Sequence, residues 1–174
     1  RYDGYEFIVY SNDASDSLSI SDNEITSLLV DSEGNLWIGT STGVLNKFDP
    51  LRETFSHFDL AGSSDWSSST EDEVYNIPIT FSRNQISTIT TIDQDRDGNL
   101  WVGTWGKGVV RFNPKSNKKK YFYHFQDREN SLSSNRIVKV LVDIDNIIWV
   151  GTFGGGLNRI RPCLLYTSDA ADDL

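Results

Sequence analysis

Three short runs along the chain are apolar on both of their faces: Asn35-Leu36-Trp37-Ile38-Gly39-Thr40, Asn99-Leu100-Trp101-Val102-Gly103-Thr104 and Ile147-Ile148-Trp149-Val150-Gly151-Thr152. A strand with one wet face alternates apolar and polar residues, so runs of this kind predict strands covered on both sides. Their surroundings repeat as well. An Asp stands six residues before each Trp (Asp31, Asp95, Asp143) and a Pro thirteen residues after it (Pro50, Pro114, Pro162). An Asn-x-Ile precedes each copy, at Asn23 and Ile25, Asn84 and Ile86, Asn135 and Ile137, and the lead-in Ser17-Leu18-Ser19 recurs as Ser131-Leu132-Ser133.

Each copy reads as four short strands. Strand one is Ile25–Val30 or its equivalent. A tight turn follows, Asp31-Ser32-Glu33-Gly34 in the first copy, where the Asp accepts from backbone amides ahead of it and Gly supplies positive φ. Strand two carries the Trp. Strand three is 45–48 or 109–112, stopped by a Pro that cannot donate to a ladder. Strand four is aromatic, Phe55-Ser56-His57-Phe58 and Phe122-Tyr123-His124-Phe125, and Phe7-Ile8-Val9-Tyr10 reads as the same element left from a preceding copy. In the third copy Asn146 and Ile147 replace Gly34 and Asn35; Asn tolerates positive φ, so the turn survives.

Small four-stranded sheets packed face to face around an axis make a β-propeller. The Trp is then a wedge between blades and the following Gly a relief for the next backbone. A sandwich is the other all-β option, but it leaves unexplained a Trp that recurs at 64 and then 48 residues. The expected layout is all-β, about three four-stranded blades with the ring not closed. It runs as the end of a preceding blade and crossover over 1–24, a blade over 25–60, an inserted Ser- and acid-rich crossover loop over 61–85, a blade over 86–126, a crossover over 127–136 and a partial blade over 137–162.

Composition agrees with strands. Val and Ile total 25 residues against 4 Ala, and aromatics reach 12%. No apolar stretch approaches the roughly 18 residues of a membrane span. A net charge of −9 argues against nucleic acid, which calls for a basic footprint. The chain starts at Arg1 and contains no Met, which reads as a fragment whose start lies upstream. Residues 163–174 resemble a translated sequencing adaptor, a scar common in metagenomic assemblies. They are set aside from fold reasoning. The lone Cys163 goes with them, so no disulfide or Cys metal framework remains, and neither redox compartment is favoured. Removing their three Asp leaves 22 acidic against 16 basic residues, a net of −6.

The string Asp-x-x-Gly-Asn-Leu-Trp-Ile-Gly-Thr, with Gly43-Val44-Leu45 and Phe48-Asp49-Pro50 after it, resembles the two-component-regulator propeller repeat. The resemblance covers 1–162. It implies a segment of the sensor region of a hybrid two-component system of Bacteroidetes type. The parent is expected to be a membrane-anchored, dimeric histidine kinase of the inner membrane. It would add further propeller blades, an immunoglobulin-like domain and a response regulator for the phosphorelay. Such sensors detect glycan breakdown products in the periplasm.

In a meander the two-to-three turns and the blade crossovers share one end. That places 41–44, 105–108 and 153–156 beside Asn23, Asn84, Asn135 and the inserted loop. The position after the repeat Thr is Ser41, then Trp105, then Phe153, while the core positions barely change. An aromatic face beside polar groups suits an oligosaccharide, whose C–H face stacks and whose hydroxyls hydrogen-bond. Candidate ligand residues are Trp105, Lys107, Phe153, Trp66, Asn84, Asn135 and Arg136, with Lys107 or Arg136 able to hold an acidic sugar. The bland alternatives are rim packing for Trp105 and Phe153, and local backbone bonding for the Asn residues. Trp37, Trp101, Trp149, Gly39, Gly103 and Gly151 are assigned to the repeat framework. No catalytic residue and no cofactor is assigned.

Other motifs are weaker. Asp93-Gln94-Asp95-Arg96-Asp97-Gly98 spells the start of an EF-hand loop, but Thr104 stands where the bidentate Glu belongs, so Asp93, Asp95 and Asp97 are at most a marginal calcium site. Gly103-Thr104-Trp105-Gly106-Lys107-Gly108 lacks both the Ser/Thr after its Lys and the helix a phosphate loop needs. His57 and His124 align with Val9 and read as half-buried strand surface. Lys118-Lys119-Lys120 reads as a solvated hairpin tip. The remaining functional alternatives are a propeller lyase resembling the streptogramin lyases and a non-signalling adhesion or scaffold propeller.

Overall fold

The computed structural model describes residues 7–60, 88–126 and 130–161. Trp66, Asn84, Ile86, Pro162, the whole inserted loop 61–85 and the 163–174 tail lie outside them. Every regular element among the described residues is a strand. Strands β1 (Ile25–Val30), β2 (Leu36–Thr40), β3 (Val44–Asp49) and β4 (Thr54–Asp59) form the first antiparallel sheet. Strands β5 (Ile89–Gln94), β6 (Leu100–Thr104), β7 (Val109–Asn113) and β8 (Lys118–Phe122) form the second. The third holds β9 (Ile137–Val142), β10 (Ile148–Thr152) and β11 (Gly156–Ile160). All three are simple meanders, and the set is unclosed. The expected turn chemistry is present: Gly34, Gly98 and Asn146 occupy the same turn position with φ of 83°, 78° and 61°.

The sheets stack face to face. Trp37 is buried in one cluster with Ile92, Leu100, Val102 and Phe112 of the second sheet. Trp101 is buried in the next with Ile137, Val140, Ile148 and Val150 of the third. Each indole thus lies between its own sheet and the one that follows. Trp149, which has no following sheet among the described residues, is half-buried. A further cluster of Ile20, Ile38 and Phe55 covers the opposite face of the first sheet.

The buried indole N–H needs an acceptor, and the turn Asp supplies it. Trp37, Trp101 and Trp149 Nε1 donate to Asp31, Asp95 and Asp143 Oδ2 at 2.8, 2.9 and 2.7 Å. The other carboxylate oxygen of each Asp accepts the backbone N–H four residues on, from Asn35, Asn99 and Ile147. One side chain thus ties the turn to the wedge. A cation lies over each ring from the neighbouring strand: Lys47, Arg111 and Arg159, 5.6, 5.7 and 5.9 Å from the ring centroids. Arg111 Nε is also 3.3 Å from Asp95 Oδ2, close enough for an ion pair but misaligned for a hydrogen bond.

Several sequence expectations are corrected. The first strand of the second sheet begins at Ile89, which pairs with Thr104 as Ile25 does with Thr40 and Ile137 with Thr152. Ile86 is therefore not the equivalent of Ile25, nor Asn84 of Asn23. The fourth strand of that sheet is Lys118–Phe122 and not the aromatic run 122–125. Lys118, Lys119 and Lys120 are strand residues on an outer edge, where Lys discourages further pairing, and Lys119 Nζ donates to the Asp59 carbonyl. Register decides this: Phe122 opposes Val109 as Phe58 opposes Leu45. His57 and His124 are then not equivalent. His124 matches Asn12: their backbone N–H groups donate to Asn135 and Asn23 Oδ1, and their side chains bond the Leu132 and Ile20 carbonyls. Ile20, not Leu18, is thus the counterpart of Leu132. Residues 7–10 form no ladder, since the strand they would pair with is not among the described residues. Tyr10 nevertheless packs on Phe48 at 5.1 Å, as Phe58 packs on Phe112 at 5.3 Å.

The repeat Gly makes room for a side chain rather than for backbone. A Cβ on Gly39 would lie 2.5 Å from Ile89 Cγ2, and one on Gly103 would lie 2.6 Å from Thr91 Cγ2 and 2.7 Å from Ile137 Cγ2. On Gly151 the nearest atom is the Lys139 carbonyl oxygen at 3.7 Å. Gly103→Ala is therefore expected to destabilise by about 1–3 kcal/mol through overpacking, and Gly151→Ala to be neutral or slightly stabilising. Thermal melts of the two variants followed by indole fluorescence check this; equal losses would contradict the fit.

The clamp also sets an acid limit. Burial pushes the Asp31 carboxyl up, but bonds from the Trp37 indole, the Asn35 amide and backbone N–H groups outweigh it and hold it below the ordinary value. The Trp149 indole and the Ile147 N–H likewise hold Asp143 low. A carboxyl lowered in the folded state contributes stability that is present above its unfolded pKa of about 3.9 and is lost as pH falls through the lower folded value. Melting temperature is expected to drop below about pH 4, and the paired change Asp31→Asn, Asp143→Asn to flatten that limb relative to the parent.

Candidate functional site

The β2–β3 loops and the residues leading into the first strands meet at one end of the stacked sheets, held by backbone. Ser41, Trp105 and Phe153 donate their N–H to the carbonyls of Glu24, Thr88 and Arg136 at 3.1, 2.9 and 2.8 Å. The three residues therefore occupy one repeat position on a common frame, whatever their side chains. Ser41 turns its hydroxyl to Asp22 at 2.7 Å, and that bond holds the Asp22 carboxyl low. In the second and third sheets the position is aromatic and solvent-facing: Trp105 is 43% exposed and Phe153 58%.

The two rings come together across the junction of the second and third sheets, 5.4 Å apart and tilted by 54°. The backbone of Trp105 forms an isolated antiparallel β-bridge with that of Arg136, whose side chain is exposed. The Asn135 carbonyl accepts from Gly106 and Gly108 N–H, both at 3.0 Å, and so straps the 105–108 loop to the third sheet. Gly108 has no freedom to be another residue: its φ is 66° and a Cβ would lie 2.1 Å from the Phe122 carbonyl oxygen. The Asn135 side chain is engaged with His124 N–H at 2.6 Å, and Asn23 with Asn12 N–H at 2.7 Å, so both serve local backbone.

The predicted residues do not all gather at one place. Trp105, Phe153 and Arg136 form a patch at the second junction. Lys107 instead lines a small, solvent-open depression at the first junction, with Gly43, Leu60, Thr104, Val110, Tyr121 and Tyr123. Burial pushes the Tyr121 and Tyr123 hydroxyls up, so both stay protonated donors at neutral pH. Sequence reading passed over these tyrosines because it placed one outside strand four and shifted the register of the other. It also passed over the cation above each indole, although its signal was present: Lys47, Arg111 and Arg159 all stand ten residues after their Trp.

The acidic run 93–97 is occupied by structural duties. Asp95 accepts from Asp97, Asn99 and Trp101. Asp93 accepts from Gln94 and, across the junction, from Val142 N–H at 2.7 Å. Asp97 faces Arg111 at 3.6 Å. The three carboxylates point to different partners, and among the described residues no group of His, Cys, Asp or Glu could hold a metal ion.

Comparison with known proteins agrees with this architecture. The sequence profile described as "Two component regulator propeller" matches residues 19–42, 85–106 and 131–154, one segment per sheet. No curated protein matches the chain in sequence. Among solved structures, the chain is similar to the extracellular domain of BT3049 from B. thetaiotaomicron, named a hybrid two-component system, with 29% identity over 79% of this chain and a TM-score of 0.56. It is also similar in fold to the extracellular domain of BT4673 from the same organism, with 22% identity over 90% of this chain and a TM-score of 0.62. A third fold likeness is to PorZ, a surface component of the type-IX secretion system of Porphyromonas gingivalis, with 21% identity over 87% of this chain and a TM-score of 0.58. The chain spans only 14%, 17% and 19% of the lengths of these three. One profile match on each of the three stacked sheets, with the Asp–Trp clamp inside every match, means that the chain carries three copies of the two-component regulator propeller repeat.

Proposed function

We propose that this chain is a ligand-binding segment of the extracytoplasmic, periplasmic sensor propeller of a hybrid two-component histidine kinase, and that it takes a glycan-derived oligosaccharide at the Trp105–Phe153 patch. Two exposed rings from adjacent sheets, 5.4 Å apart and flanked by Arg136, carry this reading. The rings offer faces for sugar C–H groups, the guanidinium fits a carboxylate on an acidic sugar, and the framework beneath is rigid. Binding, rather than chemistry, is the task. A ligand that bridges two blades and prefers one arrangement of them shifts the equilibrium by its affinity difference between states. In the parent, that shift would be transmitted through the membrane anchor to the kinase.

The test is calorimetric titration with a panel of neutral and acidic oligosaccharides. Acidic members are expected to bind, and Trp105→Ala to weaken them about tenfold, the loss of one aromatic contact. Arg136→Gln is expected to weaken acidic members more than neutral ones. Affinities unchanged by Trp105→Ala, or no binding by any member, would remove this site.

A further inference from the structure

One run of contacts crosses both junctions at the loop end of the stacked sheets. The Glu24 carbonyl accepts from Ser41 N–H at 3.1 Å. The Ser41 carbonyl accepts from Thr88 Oγ1 at 3.0 Å, across the first junction. The Thr88 carbonyl accepts from Trp105 N–H at 2.9 Å. The backbone of Trp105 then bridges that of Arg136 across the second junction, and the Arg136 carbonyl accepts from Phe153 N–H at 2.8 Å. Glu24, Thr88 and Arg136 are thus one repeat position seen three times. The run fixes their order across the face: an acid, a neutral hydroxyl, a base.

The position reaches solvent in every copy. Thr88, with a sheet on either side, is half-buried, and Glu24 and Arg136 are exposed. Neither charged side chain has a hydrogen bond or ion pair among the described residues. Sheets stack at about 10 Å, so the two charged positions lie no more than roughly 20 Å apart. At that separation salt screens each from the other, and the fold gains little from either charge. Asp22 strengthens the acidic end. Its carboxylate accepts from the Ser41 hydroxyl at 2.7 Å and from Glu24 N–H at 3.1 Å, bonds that hold the carboxyl low and keep it ionised at neutral pH. The middle of the run carries no charge, because Lys107 stands off it, toward Tyr121 and Tyr123.

Resting on the sensor reading above, we infer that the ligand of this face is a dipolar oligosaccharide lying along the run, with a carboxylate at Arg136, sugar faces on Trp105 and Phe153, and a free amine at Glu24. A ligand acidic at both ends would meet Arg136 with one anion and the Glu24 and Asp22 carboxylates with the other. Like-charge juxtaposition of that kind rejects wrong partners, and charges at an exposed rim set orientation and selectivity more than raw affinity. Glu24 is therefore a specificity residue, and the ligand spans both junctions rather than the second alone.

The test is calorimetric titration of the whole chain at about pH 6, below the titration of a primary amine. The probes are a tetrasaccharide alternating hexuronic acid with free glucosamine, the same tetrasaccharide N-acetylated, and tetragalacturonate. The unsubstituted chain is expected to bind the free-amine form about threefold to fivefold more tightly than the N-acetylated form, the contribution of one exposed ion pair, and tetragalacturonate more weakly than either. Glu24→Gln is expected to abolish the amine preference, and Glu24→Lys to reverse the order so that tetragalacturonate binds best. Arg136→Gln is expected to weaken the free-amine and N-acetylated forms alike and so preserve their ratio. Equal binding of those two forms by the unsubstituted chain, or an amine preference that survives Glu24→Gln, overturns the inference and leaves the Trp105–Phe153 site in place. Binding of none of the three probes overturns the sensor reading and the inference together.

Discussion

Burial of one indole per sheet is the constraint on which the rest depends. A Trp side chain removes on the order of 150–250 Å² from water, more than a five-residue strand could otherwise contribute, but its N–H must be satisfied where water is excluded. Asp31, Asp95 and Asp143 meet that demand with one oxygen and hold the β1–β2 type turn with the other. In the second sheet Arg111 Nε also lies 3.3 Å from the Asp95 carboxylate. Turn and wedge are one unit, and substituting either member disturbs the other. Because the wedges of the first and second sheets are covered by the sheet that follows, neither of these sheets has a complete core of its own. The molecule is a stack with nearest-neighbour stability, as in other repeat proteins.

That arrangement separates the framework from the side chains at the loop end. The β2–β3 loops are anchored through main-chain N–H and C=O groups at equivalent residues, 24, 88 and 136. A side chain at the anchored position is free to change without touching a wedge. Ser41 closes back on Asp22, whereas Trp105 and Phe153 lean on each other over solvent. Rings that are half-buried on a hydrogen-bonded backbone have less entropy to lose on any contact than freely exposed ones.

How far the sequence could be read varied with position in the blade. Strands two and three were legible, because both faces are buried and Trp, Gly and Pro punctuate them. Strand four was legible in the first sheet, where Phe55–Phe58 falls within β4, but not in the second. Lys118-Lys119-Lys120 reads as a tip by polarity, yet an outer strand faces solvent and is defined by its register with β7, which polarity does not reveal. The aromatic run after it attracted the assignment, and with it came the mistaken pairing of His57 with His124. Strand one of the second repeat was displaced by three residues for a related reason. Ile86 and Ile89 have equal hydrophobicity, and only pairing with Thr104 distinguishes them. The bulge shared by all three first strands, at 25–27, 89–91 and opposite 151–152, carries no signature in residue type.

The sequence by itself determined the repeat, the strand-rich class, the turn geometry and which residues wedge the sheets, because these follow from local chemistry that recurs at constant spacing. Tertiary structure alone decided which residues meet between sheets: that Trp105 finds Phe153 while Lys107 is carried to a different junction, that the repeat Gly receives an Ile side chain, and that Asp93, Asp95 and Asp97 face three different partners. Those outcomes depend on how one sheet is offset and rotated against the next. That offset is set by the fit of whole faces, which no spacing along the chain records.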